Sequence, residues 1–273
     1  MRYGYAAMTS VQAFILALIQ GLTEFLPISS SAHAILTPII FGWQDQGLTF
    51  DIVTNAGTLT AVLIYFRQDL LHLATDRGAW RRPSQGTAPL GFGLFLGTLP
   101  VVIVGGLFYS WFSTDARNAL LIACTSIAFG LLLAWADHNP KSTKTLEHLR
   151  KRDALWIGLA QAFALLPGTS RSGVTITAAL FLGYSREHAA RFSFLLSIPV
   201  SVAALLHDLK DLLTDSPGHI GWMPMLVGFV TAAVSAYVVI DWLLAWLQKQ
   251  SMTVFVVYRI VLGLVILGML AVR

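Results

Sequence analysis

Long apolar segments separated by short polar ones make up most of the chain. About 20 consecutive apolar residues cross a bilayer as a helix, and six segments approach or exceed that length. They cover residues 50–66, 90–112, 118–136, 189–206, 223–247 and 252–272. The pattern therefore predicts six transmembrane helices.

Two further apolar stretches, 10–41 and 154–183, fit neither one span nor two. Each is interrupted near its middle by a proline, Pro27 in the first and Pro167 in the second. Two full spans and a turn need over roughly 40 residues at a rise of about 1.5 Å per residue. The length instead predicts two re-entrant helical hairpins, which are tolerated where protein or water surrounds the backbone. A pair of short tilted helices is the alternative.

The two broken stretches also resemble each other. The sequences "QGLTEFLPISSSAH" at 20–33 and "QAFALLPGTSRSGV" at 161–174 each contain Gln, an apolar half-helix, Pro and a Ser/Thr cluster. Three ordinary spans follow each broken stretch, which gives two halves of about 8–136 and 154–272. Because each half crosses the membrane an odd number of times, the two halves face opposite ways across it. The sequence predicts an inverted-topology repeat within one integral membrane domain over 1–273, with its site where the broken helices meet.

Composition supports the same class. The chain is 56% hydrophobic and 12% charged, whereas a soluble domain has roughly 45–50% apolar and about 25% charged residues. We therefore expect an all-α polytopic membrane protein. Cys124 is the only cysteine and lies inside a predicted span, so it implies no disulfide. A net charge of +4 indicates no nucleic-acid partner, since excess Lys and Arg in a membrane protein usually marks cytoplasmic loops.

The basic residues of the loops orient the chain. Twelve fall on one side of this arrangement: Arg67, Arg77, Arg81, Arg82, Lys141, Lys144, Arg150, Lys151, Arg152, Arg186, Arg191 and Lys249. Four fall on the other: Arg2, Arg117, Lys210 and Arg273. The bias places 67–89 and 137–153 in the cytoplasm. The first hairpin then enters from outside and the second from the cytoplasm.

Residues that can ionise inside a membrane are candidates for function. Glu24, His33 and Arg171 all lie at the predicted breaks, and Gln20 shares a helix face with Glu24 at a spacing of i, i+4. Hydroxyl groups surround them at both breaks: Ser29, Ser30 and Ser31 at the first, Thr169, Ser170 and Ser172 at the second.

The second break has the composition of a phosphate-binding segment. Gly168 and Gly173 flank its hydroxyl groups and Arg171. Glycine allows close backbone approach, and the free N–H groups of a helix start bind anions. A guanidinium matches phosphate oxygens in pairs.

Simpler structural roles stay open for several of these residues. Glu24 is a candidate structural partner of Arg171, and His33 a candidate interior histidine with satisfied hydrogen bonds. Ser29 and Ser31 fit small packing positions or backbone hydrogen bonds equally well. Four other polar residues are left outside the site. Arg259 and Asp241 lie near span ends, where we expect them to snorkel or to form pairs. Asp51 and Asn55 border the outer half of a span, and a structural role is favoured for them over lining an entrance.

The motifs resemble a known family. "QGLTEFLPISSSAH" and "PGTSRSG", with "FSFLLSIP" and "VYRIVLG" downstream, are similar to those of the undecaprenyl-diphosphate phosphatases, the bacitracin-resistance proteins. The resemblance extends over nearly the whole chain. It implies hydrolysis of undecaprenyl diphosphate to the monophosphate carrier lipid and inorganic phosphate, which sustains peptidoglycan synthesis.

The resemblance also implies properties of the site. The family's essential serine, histidine and arginine fall on Ser30, His33 and Arg171. It implies a divalent cation (Mg²⁺ or Ca²⁺), homodimers, and a bacterial inner-membrane location with an active site that opens to the periplasm. The family's first motif has Glu or Gln followed four residues later by Glu. Here these are Gln20 and Glu24, so one carboxylate is available as a metal ligand.

These expectations combine into one mechanism. Arg171 and the segment Gly168–Ser172 hold the phosphates, while Glu24, aided by Gln20, binds the cation. Ser30 attacks the terminal phosphorus with His33 as its base; attack by His33 itself or by water stays open. The rival from another class is a secondary transporter or polyprenyl-lipid flippase, because inverted repeats with broken helices are typical of transporters.

Overall fold

The structure, a computed structural model, describes residues 8–76, 80, 88–114, 118–138, 143–214 and 220–271. In these ranges the chain forms eleven α-helices and two short 3₁₀ turns, with no strands. The helices are α1 Ser10–Phe25, α2 Ser30–Phe41, α3 Gly47–Tyr65, α4 Arg67–Thr75, α5 Leu90–Thr114, α6 Ala119–Asp137, α7 Lys151–Gln161, α8 Arg171–Phe181, α9 Arg186–Thr214, α10 Trp222–Leu247 and α11 Thr253–Ala271.

The described residues include six helices long and apolar enough to cross a membrane: α3, α5, α6, α9, α10 and α11. Five of them coincide with predicted spans to within three residues, and α9 contains the sixth, so the all-α polytopic class is confirmed. α9 is the least well predicted, because it begins at Arg186 and continues to Thr214. A short helix, α4, follows α3 directly.

Both long broken stretches are interrupted where the prolines predict it. α1 ends at Phe25 and α2 begins at Ser30, while the second pair is interrupted between Gln161 and Arg171. Proline disfavours helical backbone in the residue before it, and Leu26 and Leu166 accordingly have extended backbone (ψ 143° and 123°). α1 and α2 have 16 and 12 residues, too short to cross about 30 Å of hydrocarbon at about 1.5 Å per residue. The breaks are confirmed; re-entry and the inverted repeat stay predictions.

The helices pack so that both broken pairs lie among the long spans. α1 packs on α10 and α7 on α5, while α6 packs on α11 and α3 on α9. Small residues permit the closest approaches: a Cβ on Gly21 would lie 2.7 Å from the Ala232 carbonyl, and one on Gly158 would lie 2.5 Å from that of Gly97. Close backbone packing of this kind is a usual basis of helix association in membranes.

Ion pairs join the turns at one end of the bundle. Asp137 at the end of α6 accepts from Arg186 at the start of α9 (2.5 Å) and from the Met252 amide before α11 (2.9 Å). Asp69 on α4 pairs with Arg191 at 2.7 Å. The turns joined by these contacts, which carry much of the basic charge, therefore lie at the same end of the helix bundle. Seven of the counted basic residues lie outside the described residues: Arg2, Arg77, Arg81, Arg82, Arg117, Lys141 and Arg273.

Candidate active site

The two breaks share a local geometry at the residue that caps the following helix. Ser29 before α2 has φ 72°, and Ser170 before α8 has φ 69°. They are the only non-glycine residues with positive φ among those that the structure describes. Such backbone costs about 1–3 kcal/mol and concentrates at functional sites.

Hydrogen bonds around the caps repeat as well. Ser29 accepts from the amide three residues on, and so does Ser170. Each cap hydroxyl also contacts the serine two residues on, Ser31 at 3.1 Å and Ser172 at 3.2 Å. The residue between the two serines is the first of its helix. Ser30 and Arg171 therefore occupy equivalent positions.

Ser30 and Arg171 meet at one carboxylate, that of Glu24. Arg171 Nη2 donates to Glu24 Oε1 at 2.6 Å, and Ser30 Oγ donates to Oε2 at 2.7 Å. Gln20 Nε2 donates to the same Oε2 at 3.0 Å and to Asn55 Oδ1 at 2.9 Å. Four predicted residues from three helices are thus brought together. Asn55, assigned a structural role from sequence, belongs to the same hydrogen-bonded group.

Arg171 keeps one donor without a partner. Its Nη1 is buried and makes no hydrogen bond to any described residue, and the buried hydroxyl of Thr169 is also unpartnered. An unmade hydrogen bond on a buried polar group is costly, and a planar guanidinium suits paired phosphate oxygens. The free Nη1 of Arg171 is therefore suited to an anionic ligand.

His33 lies one turn beyond Ser30 on α2 and does not contact its hydroxyl. Its Nδ1 lies 2.7 Å from the Ser29 carbonyl oxygen, and its Nε2 lies 2.5 Å from Tyr258 Oη. A carbonyl only accepts, so Nδ1 carries the hydrogen and the neutral ring accepts from Tyr258 at Nε2. The expected Ser30–His33 pair is wrong for this structure, because both ring nitrogens face other partners and Ser30 donates to Glu24.

The remaining predicted residues shape the breaks. Gly168 has φ 86°, and a Cβ there would lie 2.2 Å from Thr125 Oγ1, so glycine is needed at this position. Ser172 Oγ donates to the Leu26 carbonyl at 2.9 Å and ties the second break to the first. Ser29, Ser31 and Ser170 make the cap contacts described above.

Arg259 contradicts the expectation that it snorkels or pairs near the end of a span. Its side chain is 1% exposed, and its guanidinium donates to carbonyl oxygens at both breaks. Sequence reasoning missed it, although it lies within the quoted motif "VYRIVLG", as does Tyr258. Asp241, by contrast, accepts from Tyr65 at 3.2 Å, as the pairing interpretation expects.

The protein ligands for a metal are few. No group of three or more His, Cys, Asp or Glu side chains with metal-binding geometry occurs among the described residues. Mg²⁺, however, is commonly bound by one or two carboxylates together with substrate phosphates. The carboxylate of Glu24 fits that manner of binding. Gln20 turns its Nε2 to Glu24 Oε2, so its side-chain amide would have to rotate before its oxygen could join Glu24 at a cation.

A pocket lies beside this group, between α1, α2 and α3. Its lining combines polar and apolar side chains: Leu16, Ile19, Gln20, Ala34, Thr37, Gln46, Phe50, Asp51 and Thr54. Asp51 accepts from Gln46 Nε2 at 3.0 Å. Gln20 therefore links the pocket to the carboxylate of Glu24.

Comparison with known proteins gives one consistent family. Residues 13–265 match the family described as bacitracin resistance protein BacA. An undecaprenyl-diphosphatase of Magnetococcus marinus is 52% identical over 271 residues, 96% of this chain and 100% of the relative. Undecaprenyl-diphosphatases of Marinobacter nauticus and Alcanivorax borkumensis are 47% and 49% identical, over 96% and 95% of this chain and 100% and 98% of theirs. The chain therefore belongs to the bacitracin resistance protein BacA family.

Proposed function

We propose that the protein hydrolyses undecaprenyl diphosphate to undecaprenyl phosphate and inorganic phosphate, and so confers bacitracin resistance. The activity is the one named for relatives about 50% identical over nearly the full chain. The observation that carries the proposal is the meeting of Ser30 and Arg171 at Glu24, with Arg171 Nη1 left without a partner. A nucleophile, a carboxylate and a phosphate-binding donor are the groups that phosphoryl transfer requires.

The phosphates bind where two helices begin. α2 starts at Ser30 and α8 at Arg171, and a helix N-terminus carries about half a positive charge. Arg171 turns its free Nη1 to the terminal phosphate, and Thr169 supplies a further donor. The lipid tail stays among the apolar spans, so the diphosphate alone enters the polar site.

Ser30 acts as the nucleophile with Glu24 as its base. The hydrogen bond of 2.7 Å from Ser30 Oγ to Glu24 Oε2 is the contact that a hydroxyl needs for activation. Ser30 Oγ attacks the terminal phosphorus, its proton passes to Glu24, and the bond from phosphorus to the bridging oxygen breaks. Undecaprenyl phosphate leaves. Water then hydrolyses the phosphoserine, which releases phosphate and restores the hydroxyl.

A divalent cation fits the same site. Glu24 would hold it, and Gln20 would add its amide oxygen after rotation of its side-chain amide, whose Nε2 now faces Glu24. When bound, it supplies neutralisation of the charge that builds on the phosphates. Arg171 Nη1, which has no partner among the described residues, would remain available to the phosphate.

We also propose the location and assembly. The loop charges favour a first break that is open to the outside, which supports a site that opens to the periplasmic face of the bacterial inner membrane. A homodimer within the lipid bilayer is the proposed assembly.

Phosphate release separates this function from the transporter alternative, which the family and its named relatives do not favour. The protein is purified in detergent and supplied with undecaprenyl diphosphate and Mg²⁺. An enzyme releases phosphate in micelles, where no second compartment exists, and Glu24→Gln removes that release. A transporter releases none in micelles and instead moves the intact lipid across sealed vesicles.

A further inference from the structure

We infer that Arg259 is a positioning residue, whose single guanidinium holds both helix breaks at the spacing that brings Ser30 and Arg171 to Glu24. The inference rests on the proposed phosphatase function, because it assigns the role through the groups of that site. Arg259 is 1% exposed and lies within α11. It acts through the backbone and has no surface for substrate.

The guanidinium contacts equivalent points of the two breaks. Nη1 donates to the Pro27 carbonyl at 3.2 Å and Nη2 to the Gly168 carbonyl at 2.9 Å. Pro27 is two residues before the cap Ser29, and Gly168 is two residues before the cap Ser170. One side chain therefore joins the same backbone position of both halves.

A broken helix needs this kind of partner. Where a helix is interrupted, carbonyls in the break lose the amides that a continuous helix would offer them, and an apolar bilayer has no water to replace those amides. Arg259 Nε also donates to the Ser126 carbonyl of α6 at 3.1 Å. The guanidinium is thus satisfied by carbonyls, and it belongs to none of the ion pairs among the described residues.

The contact fixes the distance between nucleophile and phosphate donor. Ser30 is three residues after Pro27, and Arg171 three after Gly168, both along short capped segments. A displacement of the Pro27 or Gly168 carbonyl therefore also displaces the first residue of the following helix, Ser30 or Arg171. Displacement of a reacting group by about 1 Å can cost about 10²-fold in rate.

Two glycines provide a test and its control. A Cβ on Gly173 would lie 2.8 Å from Arg259 Nη1 and 3.1 Å from the Cβ and Oγ of Ser170. Gly173→Ala therefore presses on the guanidinium and on the cap serine of the second break without removing either. A Cβ on Gly263 would lie 2.5 Å from Ile127 Cγ1 on α6. Gly263→Ala therefore strains the α6–α11 packing one turn from Arg259 without touching the guanidinium.

The test measures kcat, KM and melting temperature for Arg259→Lys, Gly173→Ala, their double variant and Gly263→Ala. We expect kcat to fall about 10–100-fold in Arg259→Lys and Gly173→Ala, with KM changed less than about threefold, because lipid binding survives while alignment does not. The double variant should be no worse than the poorer single one, since both act on one contact. Gly263→Ala should lower the melting temperature and keep kcat within about threefold.

A distance measurement separates failure of the inference from failure of the function. Spin labels on cysteines at Ile40 and Phe181, exposed residues on α2 and α8, report the spacing of the two hairpins in a Cys124→Ala background. The distance distribution should broaden in Arg259→Lys and stay narrow in Gly263→Ala. An unbroadened distribution with kcat within threefold of the parent would overturn the inference. If the parent releases no phosphate but the distance distribution still broadens in Arg259→Lys, the proposed function is overturned and the positioning role of Arg259 stands.

Discussion

Glu24 and Arg171 lie 147 residues apart in the chain and form an ion pair of 2.6 Å between the two broken helix pairs. Both side chains are 16% exposed. Breaking such a pair leaves a poorly solvated charge, so each partner has a structural value besides its proposed chemistry. Loss of activity on substitution of either residue is therefore informative only beside a measurement of folding or a matched control variant.

The carboxylate of Glu24 is expected to control metal dependence. Glu24→Gln should remove nearly all turnover, because the base and the only carboxylate of the group are lost. Gln20→Glu should stay active and depend more steeply on free Mg²⁺, since it adds a hard oxygen ligand four residues away on the same face. For both variants, the measurement is the rate of phosphate release as a function of free Mg²⁺ concentration, after bound metal has been removed with a chelator.

Asp69→Asn is the matched control for Glu24→Gln. It removes the carboxylate partner of another arginine, Arg191, in an ion pair that includes no residue of the two breaks. It should keep activity within a few-fold. Activity of Glu24→Gln close to that of Asp69→Asn in chelator-treated membranes would remove Glu24 from the mechanism.

Ser30 should carry phosphate during turnover if it is the nucleophile. Rapid denaturation of the enzyme mixed with substrate, followed by peptide mass analysis, should find phosphate on Ser30. Ser30→Ala should be nearly inactive, while Ser197→Ala, which loses a hydroxyl bonded only within its own helix, should behave as the parent. Phosphate found on His33, or turnover by Ser30→Ala near that of Ser197→Ala, would assign the attack elsewhere.

Tyr258 should act through His33. Its hydroxyl donates to His33 Nε2 at 2.5 Å, and the two rings stack at 5.7 Å. Tyr258→Phe keeps the stacking and loses one hydrogen bond, worth about 1 kcal/mol, that helps to hold α2, the helix that carries both His33 and Ser30. Turnover should therefore fall roughly five- to tenfold. In a His33→Gln background the same change should have little further effect. Tyr65→Phe, which loses a hydrogen bond to Asp241, is the control, and equal losses in both would indicate a general packing effect.

The loop charges predict which ends of the helices face outward. Gln44, an exposed residue between α2 and α3, should lie outside, and Lys249, exposed between α10 and α11, should lie inside. In a Cys124→Ala background, an impermeant thiol reagent should label Gln44→Cys in intact cells and leave Lys249→Cys unlabelled until the cells are opened. The reverse pattern would invert the orientation and place the first break on the cytoplasmic side.

Much of the fold is predictable from sequence because it follows from length and proline. The spans are set by the thickness of a bilayer, and Pro27 and Pro167 interrupt the two stretches where the structure interrupts them. The proximity of Gln20 to Glu24 follows from helical spacing. The ion pair to Arg171 was an open alternative, since an intramembrane guanidinium requires an anion.

Other parts of the site depend on details that sequence does not carry. The positive φ of Ser29 and Ser170 determines where the next side chain points, so Ser30 faces Glu24 and His33 faces Tyr258. An alignment of the two stretches on Pro27 and Pro167 makes Ser30 equivalent to Ser170. In the structure Ser30 is instead equivalent to Arg171, one residue later, because each is the first residue of its helix. Arg259 was misjudged because hydropathy shows that a charge lies in a helix but not which carbonyls surround it.

The central claim is tested most directly by phosphate release from undecaprenyl diphosphate at saturating lipid, compared for the parent, Arg171→Lys and Arg191→Lys. Lysine keeps the charge of Arg171 but loses the paired planar donors, and loss of one preorganised donor typically costs roughly 10²–10³ in turnover. Arg191→Lys makes the same change in an ion pair outside the site. The account predicts a fall of about 10²–10³ for Arg171→Lys, at a melting temperature near that of the parent, and a change within a few-fold for Arg191→Lys. Turnover of Arg171→Lys within a few-fold of the parent would contradict it.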